Sequence, residues 1–231
     1  MPDPTEPAPT TVTTPSTRIR RLPQRGSADR AVIDAILDEG LVCSVGIVAD
    51  GHPIVIPMAY ARRGDEIFLH GAQASRLLAA GAAAPICVTV TLLDGVVLAR
   101  SAFHHSMNYR SVVLFGAARE VTDPAEKTAA MAALVEHVLP GRWATVRAPS
   151  PKELAATRVL ALRIDAASAK RRSGGPNDDV QDQDLPCWAG EVPLALAAGP
   201  PVPTSQGTPP GPAPDQVSGY DPGSRHRRRG S

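Results

Sequence analysis

Asp50-Gly51 sits between two runs rich in β-branched residues, LVCSVGIVA and PIVIPMAYA. Asp-Gly in that setting favours a two-residue turn whose twist matches the strands it joins, so the pair predicts an antiparallel hairpin. Gly64-Asp65 leads into EIFLHG as a third strand, SRLLAAG follows as a short helix, and PICVTVTLL returns to strand. Asp94-Gly95 repeats the hairpin signal before VVLAR, and SVVLFGAAREV and RVLALRI supply two further strands. Three capped helices are expected around them. Ser27 stands as N-cap of SADRAVIDAILDEG, with Gly40 as its stop. Asp123-Pro124-Ala125-Glu126 and Ser150-Pro151-Lys152-Glu153 each order a cap, a first-turn proline and a glutamate at the third position. About seven short strands with two tight hairpins and no βαβ alternation predict a mainly β fold with peripheral helices. The expected architecture is an antiparallel barrel of six to seven strands.

The ends of the 231-residue chain differ from its middle. Residues 1–17 are rich in Pro and Thr, and residues 198–231 in Pro, Gly and Ser with a basic RHRRR near the end. Neither can bury enough apolar surface to offset its ordering entropy, so both are expected to be disordered around one folded domain over 18–197. A formal net charge of +1 argues against a nucleic-acid partner held by bulk electrostatics. Cys43, Cys87 and Cys187 are scattered, with no CxxC pair, and support neither a disulfide framework nor a zinc site. The longest apolar run, from Leu77 to Leu93, is broken by Gly81 and Pro85 and reads as helix then strand, not as a membrane span. With no apolar signal segment at the N-terminus, the expected location is cytoplasmic.

Four stretches could carry chemistry. In EIFLHGAQASRLL a strand ends at His70-Gly71 and a helix opens at Ser75-Arg76. Free amides, a hydroxyl and a guanidinium there suit a phosphate, although Ser75 could equally be a plain N-cap and Arg76 a solvated residue. In HPIVIPMAY, Pro53 and Pro57 each remove a ladder donor, so the strand lies at an edge, at a bulge or beside a flat ring. In SAFHHSMNYRS, the neighbouring His104 and His105 point to opposite faces of an extended chain and cannot easily share a metal. Residues 101–108 are expected as a bend and 109–121 as a strand beginning Tyr109-Arg110-Ser111, with Arg110 free to bind an anion or a carboxylate across an interface. In DLPCWAGEVPL, which has no regular periodicity, Trp188 either plugs a barrel end or covers a ring.

Taken in order, AVIDAILDEG, DGHPIVIPMAY, EIFLHGAQASRLL, CVTVTLLDGVVLARSAFHHSMNYRSVVLFGAAREV, KELAATRVLALRI and LPCWAGEVPL resemble the FMN-binding split-barrel superfamily. They are most similar to its pyridoxamine 5′-phosphate oxidase-related, nitroimidazole-resistance-like branch. The resemblance implies a split β-barrel homodimer with FMN between subunits; from the histidine spacing no metal is expected. The resemblance places the phosphate at Ser75 and Arg76, after the strand that ends at the cofactor-side residues His70 and Gly71, and the ring along Val55, Ile56, Pro57 and Met58. Asn108, Tyr109, Arg110, Ser111 and Trp188 would come from the second subunit. It also implies an FMN-dependent oxidoreductase acting on a small molecule, with His70 as candidate proton-transfer residue. A non-catalytic redox-sensing module, or a split barrel holding deazaflavin or haem, remains open; the His104-His105 pair is the foothold for haem. The C-terminal Trp-plus-Arg segment that serves the substrate phosphate in true pyridoxamine phosphate oxidases has no counterpart in CWAGEVPLALAAG, which speaks against vitamin B6 oxidation.

Overall fold

The computed structural model describes residues 17–204 and 211–224; the remainder of the two tails lies outside the described residues. In chain order the elements are β1 (Gly26–Ser27), α1 (Arg30–Glu39), β2 (Val42–Ala49), β3 (His52–Arg63), β4 (Glu66–Ala72), α2 (Arg76–Ala83), β5 (Ile86–Leu98) and β6 (Ser106–Gly116). They continue with β7 (Arg119–Glu120), α3 (Pro124–Val138), α4 (Pro151–Ala156), β8 (Thr157–Arg163), β9 (Ala166–Arg172), β10 (Gly190–Pro193) and α5 (Asp215–Ser218). The strands form one open antiparallel sheet in the order β1-β9-β6-β5-β2-β3-β4-β8-β7, with β10 added to β5. Seven of the ten strands are long, and the other three have two to four residues. This is a split barrel with helices at its periphery, as expected.

The agreement in strand number hides two compensating differences. Asp50-Gly51 forms the expected turn, with both residues at positive φ (53° and 76°) and Ala49 opposite His52. Asp94-Gly95 does not turn. β5 runs straight through it, and the ladder with β6 slips by one residue between Leu93 and Gly95, a β-bulge. The local groups are committed elsewhere. The Asp94 carboxylate accepts from Arg110, its carbonyl accepts from Leu194 N–H at 3.0 Å, and a side chain at Gly95 would meet the Val192 carbonyl at 3.1 Å. The strand that replaces the lost one is β9, AASAKRR, whose residues carry little β signal and which pairs with β6 and β1.

Two boundaries also move. Asp29, not Ser27, caps α1 by accepting from Ala31 N–H, because Ser27 is already paired with Ala169 in β1; its hydroxyl accepts from Asp29 N–H instead. The strand expected over 109–121 spans Ser106–Gly116, since Ser106, Met107 and Asn108 find partners on β5 beyond the bulge. The bend before it is a single 3-10 turn, Ala102–His104. The DLPCWAGEVPL segment contributes the short strand β10.

The concave side of the sheet is closed by α1 and α2. Ile33, Ile36 and Leu37 from α1 and Leu77 and Leu78 from α2 pack on Val45, Val88, Val90, Val112, Leu114, Leu160 and Leu162. A smaller cluster, Phe68, Val121, Val159 and Ala161, lies with Ala130 of α3. Tyr60, fully buried, donates to the Leu37 carbonyl at 2.5 Å and holds the end of α1 over β3. No helix among the described residues is long and apolar enough to cross a membrane.

Gly40 ends α1 where no side chain fits: a Cβ there would lie 2.5 Å from Val90 Cγ1 and 2.8 Å from Tyr60 Oη. Gly40→Ala is expected to destabilise the fold by about 1–3 kcal/mol in denaturant unfolding. Gly46→Ala, whose new methyl meets nothing closer than 3.6 Å, is the control expected to stay near wild type.

Candidate functional site

β3 has two kinds of neighbour along its twelve residues. From His52 to Ala59 it pairs with β2, and from Tyr60 to Arg63 it pairs with β4 instead. Two-residue turns make Ala49/His52 and Arg63/Glu66 hydrogen-bonded pairs, so even-numbered residues address β2 and odd-numbered ones the opposite side. Pro53 and Pro57 are odd, so their missing N–H groups fall on the side where no described strand lies. Between them that edge offers the Val55 N–H and the carbonyls of residues 53, 55 and 57. The strand edge anticipated from the two prolines is present.

The other wall of this opening is β4. Beyond Leu69 it leaves β3, and residues 70–72 pair only with β8. α2 begins just after, with the Ser75 hydroxyl accepting from Leu78 N–H at 3.3 Å as an N-cap. Gly71 lies against this first turn, where a Cβ would approach Leu78 Cδ1 to 3.0 Å. Arg76 reaches across the mouth to Asp50 at 3.3 Å. Both partners are largely exposed, so the pair contributes little and Arg76 can be drawn to another anion. Val55, Ile56, Pro57 and Met58 thus lie on the β3 side of the fork where β4 leaves β3, and His70, Gly71, Ser75 and Arg76 on its β4–α2 side; this fork is the candidate slot.

His70 is half-buried, and its Nδ1 is a buried nitrogen without a hydrogen-bond partner. Burial lowers its pKa below the ordinary 6.5, so the imidazole is held neutral. It is a group that can accept or give one proton at the slot, or donate to a ligand lying there.

Asn108, Tyr109, Arg110, Ser111 and Trp188 lie elsewhere within the chain. β6 is three strands from β3 in the sheet order. Arg110 is not free: it binds Glu39 at 2.5 and 2.8 Å and Asp94 at 2.9 and 2.7 Å, and these bonds push its pKa up. The guanidinium thus ties the end of α1 to the β5 bulge. Asn108 is buried, donating to Glu191 at 2.6 Å and accepting from Arg172. The Ser111 hydroxyl donates to the Lys170 carbonyl at 3.3 Å, and Tyr109 stands opposite Leu93 on the outer face of the sheet. Trp188 is 66% exposed and lies over Gly190, where a Cβ would sit 2.9 Å from the ring. It plugs nothing in this chain.

Two features escaped sequence reasoning. One is the Arg172–Asn108–Glu191 network. The other is an apolar outer sheet face, on which Val42, Val48, Val55, Leu93, Met107 and Val192 are exposed. Apolar residues at both parities of LVCSVGIVA were its available signal. Among the described residues no group of three or more His, Cys, Asp or Glu is placed to hold a metal ion.

His70 gives a pH dependence with a definite sign. Its folded-state pKa lies below the unfolded value, so the unfolded chain binds the proton more readily and stability rises with pH through that window. The melting temperature is expected to fall on acidification below about pH 6.5, and to fall less steeply in His70→Gln. Equal slopes in the two proteins would assign the loss to other groups.

Comparison with known proteins adds the lineage. Residues 29–171 match the family profile for pyridoxamine 5′-phosphate oxidase. Among curated proteins none matches. Among solved structures, the flavocytochrome Anf3 from Azotobacter vinelandii is 37% identical, with a TM-score of 0.85 over 92% of this chain and 99% of that one. The FAD and haem binding protein from Mycobacterium smegmatis is 41% identical, with a TM-score of 0.81 over 85% and 97%. A Bacteroides thetaiotaomicron structure described as a 5-nitroimidazole antibiotic resistance protein shares the fold at 23% identity, with a TM-score of 0.53 over 63% and 85%. With more than half of its length matched by the family profile, the chain belongs to the pyridoxamine 5′-phosphate oxidase family and carries its split-barrel fold.

Proposed function

We propose that this chain is a flavin-binding redox protein that works as a homodimer and carries a haem as a second cofactor. The observation that supports it most is the slot along residues 53–59. A flavin's pyrimidine edge alternates acceptor, donor and acceptor, and the Val55 N–H can donate to one of its carbonyl oxygens while the Val55 carbonyl accepts from the ring N–H between them. The orphaned His70 Nδ1 gains a partner if a ring lies beside it. The sequence resemblance implied FMN; the name of the Mycobacterium smegmatis relative favours FAD for this chain. When bound, flavin supplies one- and two-electron transfer and haem a one-electron centre.

The chain's own groups divide the remaining work. The β3 edge orients the ring, and Arg76, released from Asp50, neutralises phosphate at the start of α2. His70 holds or moves a proton beside the slot. The outer apolar face, which continues from the slot at Val55, is the surface for the second subunit, since a contiguous apolar patch of this kind marks an interface. Tyr109, Ser111 and Trp188 would then approach the partner's slot across it, whereas Asn108 is engaged within its own chain.

For haem, the structure separates the two neighbouring histidines. His104 Nε2 is 3.2 Å from Asp179, whereas His105 Nδ1 is 3.0 Å from the Ser101 carbonyl, which leaves Nε2 outward. A metal-ligating imidazole has that arrangement, with its second nitrogen fixed by a backbone acceptor. The neighbouring Phe103 is 88% exposed, and Met107 and Trp188 are exposed as well, an apolar lining suited to a porphyrin.

Purified protein is expected to show a two-band flavin spectrum, and acid extraction to release FAD; FMN in the extract would return the cofactor to the sequence expectation. A protein that takes up neither flavin would overturn the reading. In haem-reconstituted protein, His105→Ala is expected to lose the Soret band and His70→Ala to keep it. The reverse pattern would move the iron to the slot. By light scattering the wild type is expected as a dimer and Val48→Asp/Leu93→Asp as a monomer with flavin affinity reduced at least tenfold.

A further inference from the structure

At the β1–β9 end of the sheet, three arginines converge on a cleft of about 330 Å3. Arg25 comes with Gln24 from the turn before β1, Arg171 and Arg172 from the end of β9, and the remaining wall is the loop over residues 173–177, Ser-Gly-Gly-Pro-Asn. No acidic side chain lines it.

Arg172 is the unusual member, only 7% exposed. Its guanidinium donates to the Asn108 side-chain oxygen and to the carbonyls of Gly174 and Gly175, each at 2.7 Å. Every one of these acceptors is neutral. The carboxylate of the network, Glu191, accepts from the Asn108 amide and not from the guanidinium. None of the ion pairs among the described residues involves Arg25, Arg171 or Arg172. A buried cation without a paired anion is costly, and two further guanidinium groups at the rim add to the positive potential.

The loop is shaped to let an anion come close. Gly174 has φ 92°, and the space a side chain would fill there is open. Among the described residues no hydrogen bond takes the N–H groups of Ser173, Gly174 or Gly175. Successive free amides on a glycine-rich turn form a concavity that binds anions.

We propose that this cleft is a binding site for a phosphate-type oxyanion, clamped by Arg25 and Arg171 and balanced by the buried charge of Arg172. The site is independent of the flavin slot: it uses none of that slot's residues and stands whether or not flavin binds there. Its anion is either free phosphate or the diphosphate of a nucleotide.

The test is calorimetric titration of the full chain, as purified with its cofactors, with inorganic phosphate and with ADP at low salt. Saturable binding is expected, weakened about tenfold or more in Arg25→Gln and in Arg171→Gln and unchanged in Arg76→Gln. Both substituted arginines stand at the rim of the cleft, so these variants are expected to fold. Phosphate should also raise the melting temperature of the wild type more than that of Arg171→Gln. Tighter binding of ADP would identify a nucleotide diphosphate as the source, and tighter binding of phosphate the free ion. No binding of either anion, or binding equally tight in Arg171→Gln, would overturn the proposal. So would loss in Arg76→Gln alone, which would place the anion at the flavin slot.

Discussion

Everything about this fold turns on what β3 does halfway along its length. A strand in a closed barrel has two neighbours throughout, but β3 has one at a time, β2 as far as Ala59 and β4 from Tyr60 onward. Before that point Pro53 and Pro57 withdraw two of the three donors from the side where β4 would have to lie, and a strand cannot be hydrogen-bonded to absent N–H groups. β4 therefore stays with β3 for four pairs and then follows β8. The barrel opens at that fork. The helix that must start near the fork, α2, turns its first residues toward it, and Gly71 permits the close approach.

A sheet split in one place needs to be held firmly in others. The β5–β6 pairing does this, continuing through its bulge, and β5 carries β2 on one half of its free edge and β10 on the other. The bulge at Asp94-Gly95 is where three parts of the chain meet: Arg110 joins it to Glu39 at the end of α1, and the glycine admits the backbone of β10. Tyr60 seals the same helix end from β3. The opening thus sits beside a rigid frame, and ligand groups can be placed on it with little reorganisation.

How much of this could be read beforehand depended on whether the signal was local. Asp50-Gly51 and Asp94-Gly95 are the same dipeptide with opposite outcomes. The first is solvated and takes the left-handed conformations that its turn requires; the second is surrounded by Arg110, Leu194 and Val192, and tertiary contacts override the turn preference. β9 was invisible because alanine, serine, lysine and arginine become a strand only between β1 and β6. The open edge of β3 was legible because proline acts on its own backbone wherever it stands. The Arg172–Asn108–Glu191 network was not, since its members are 64 and 83 residues apart. Nor could the sequence tell that Arg110 would already be satisfied by two carboxylates of its own chain.

The same two prolines have a consequence for how the protein behaves in a crowded solution. An uncovered strand edge flanked by valine and isoleucine is a template onto which a strand from another molecule can add, the first step of β-aggregation. Along residues 53–57, however, an incoming strand would meet one donor where three are needed, and its ladder could not propagate. The edge is closed to chains while remaining open to a small planar molecule that asks for a single N–H. Replacing both prolines with β-formers would restore the ladder and turn this closed edge into a polymerisation site.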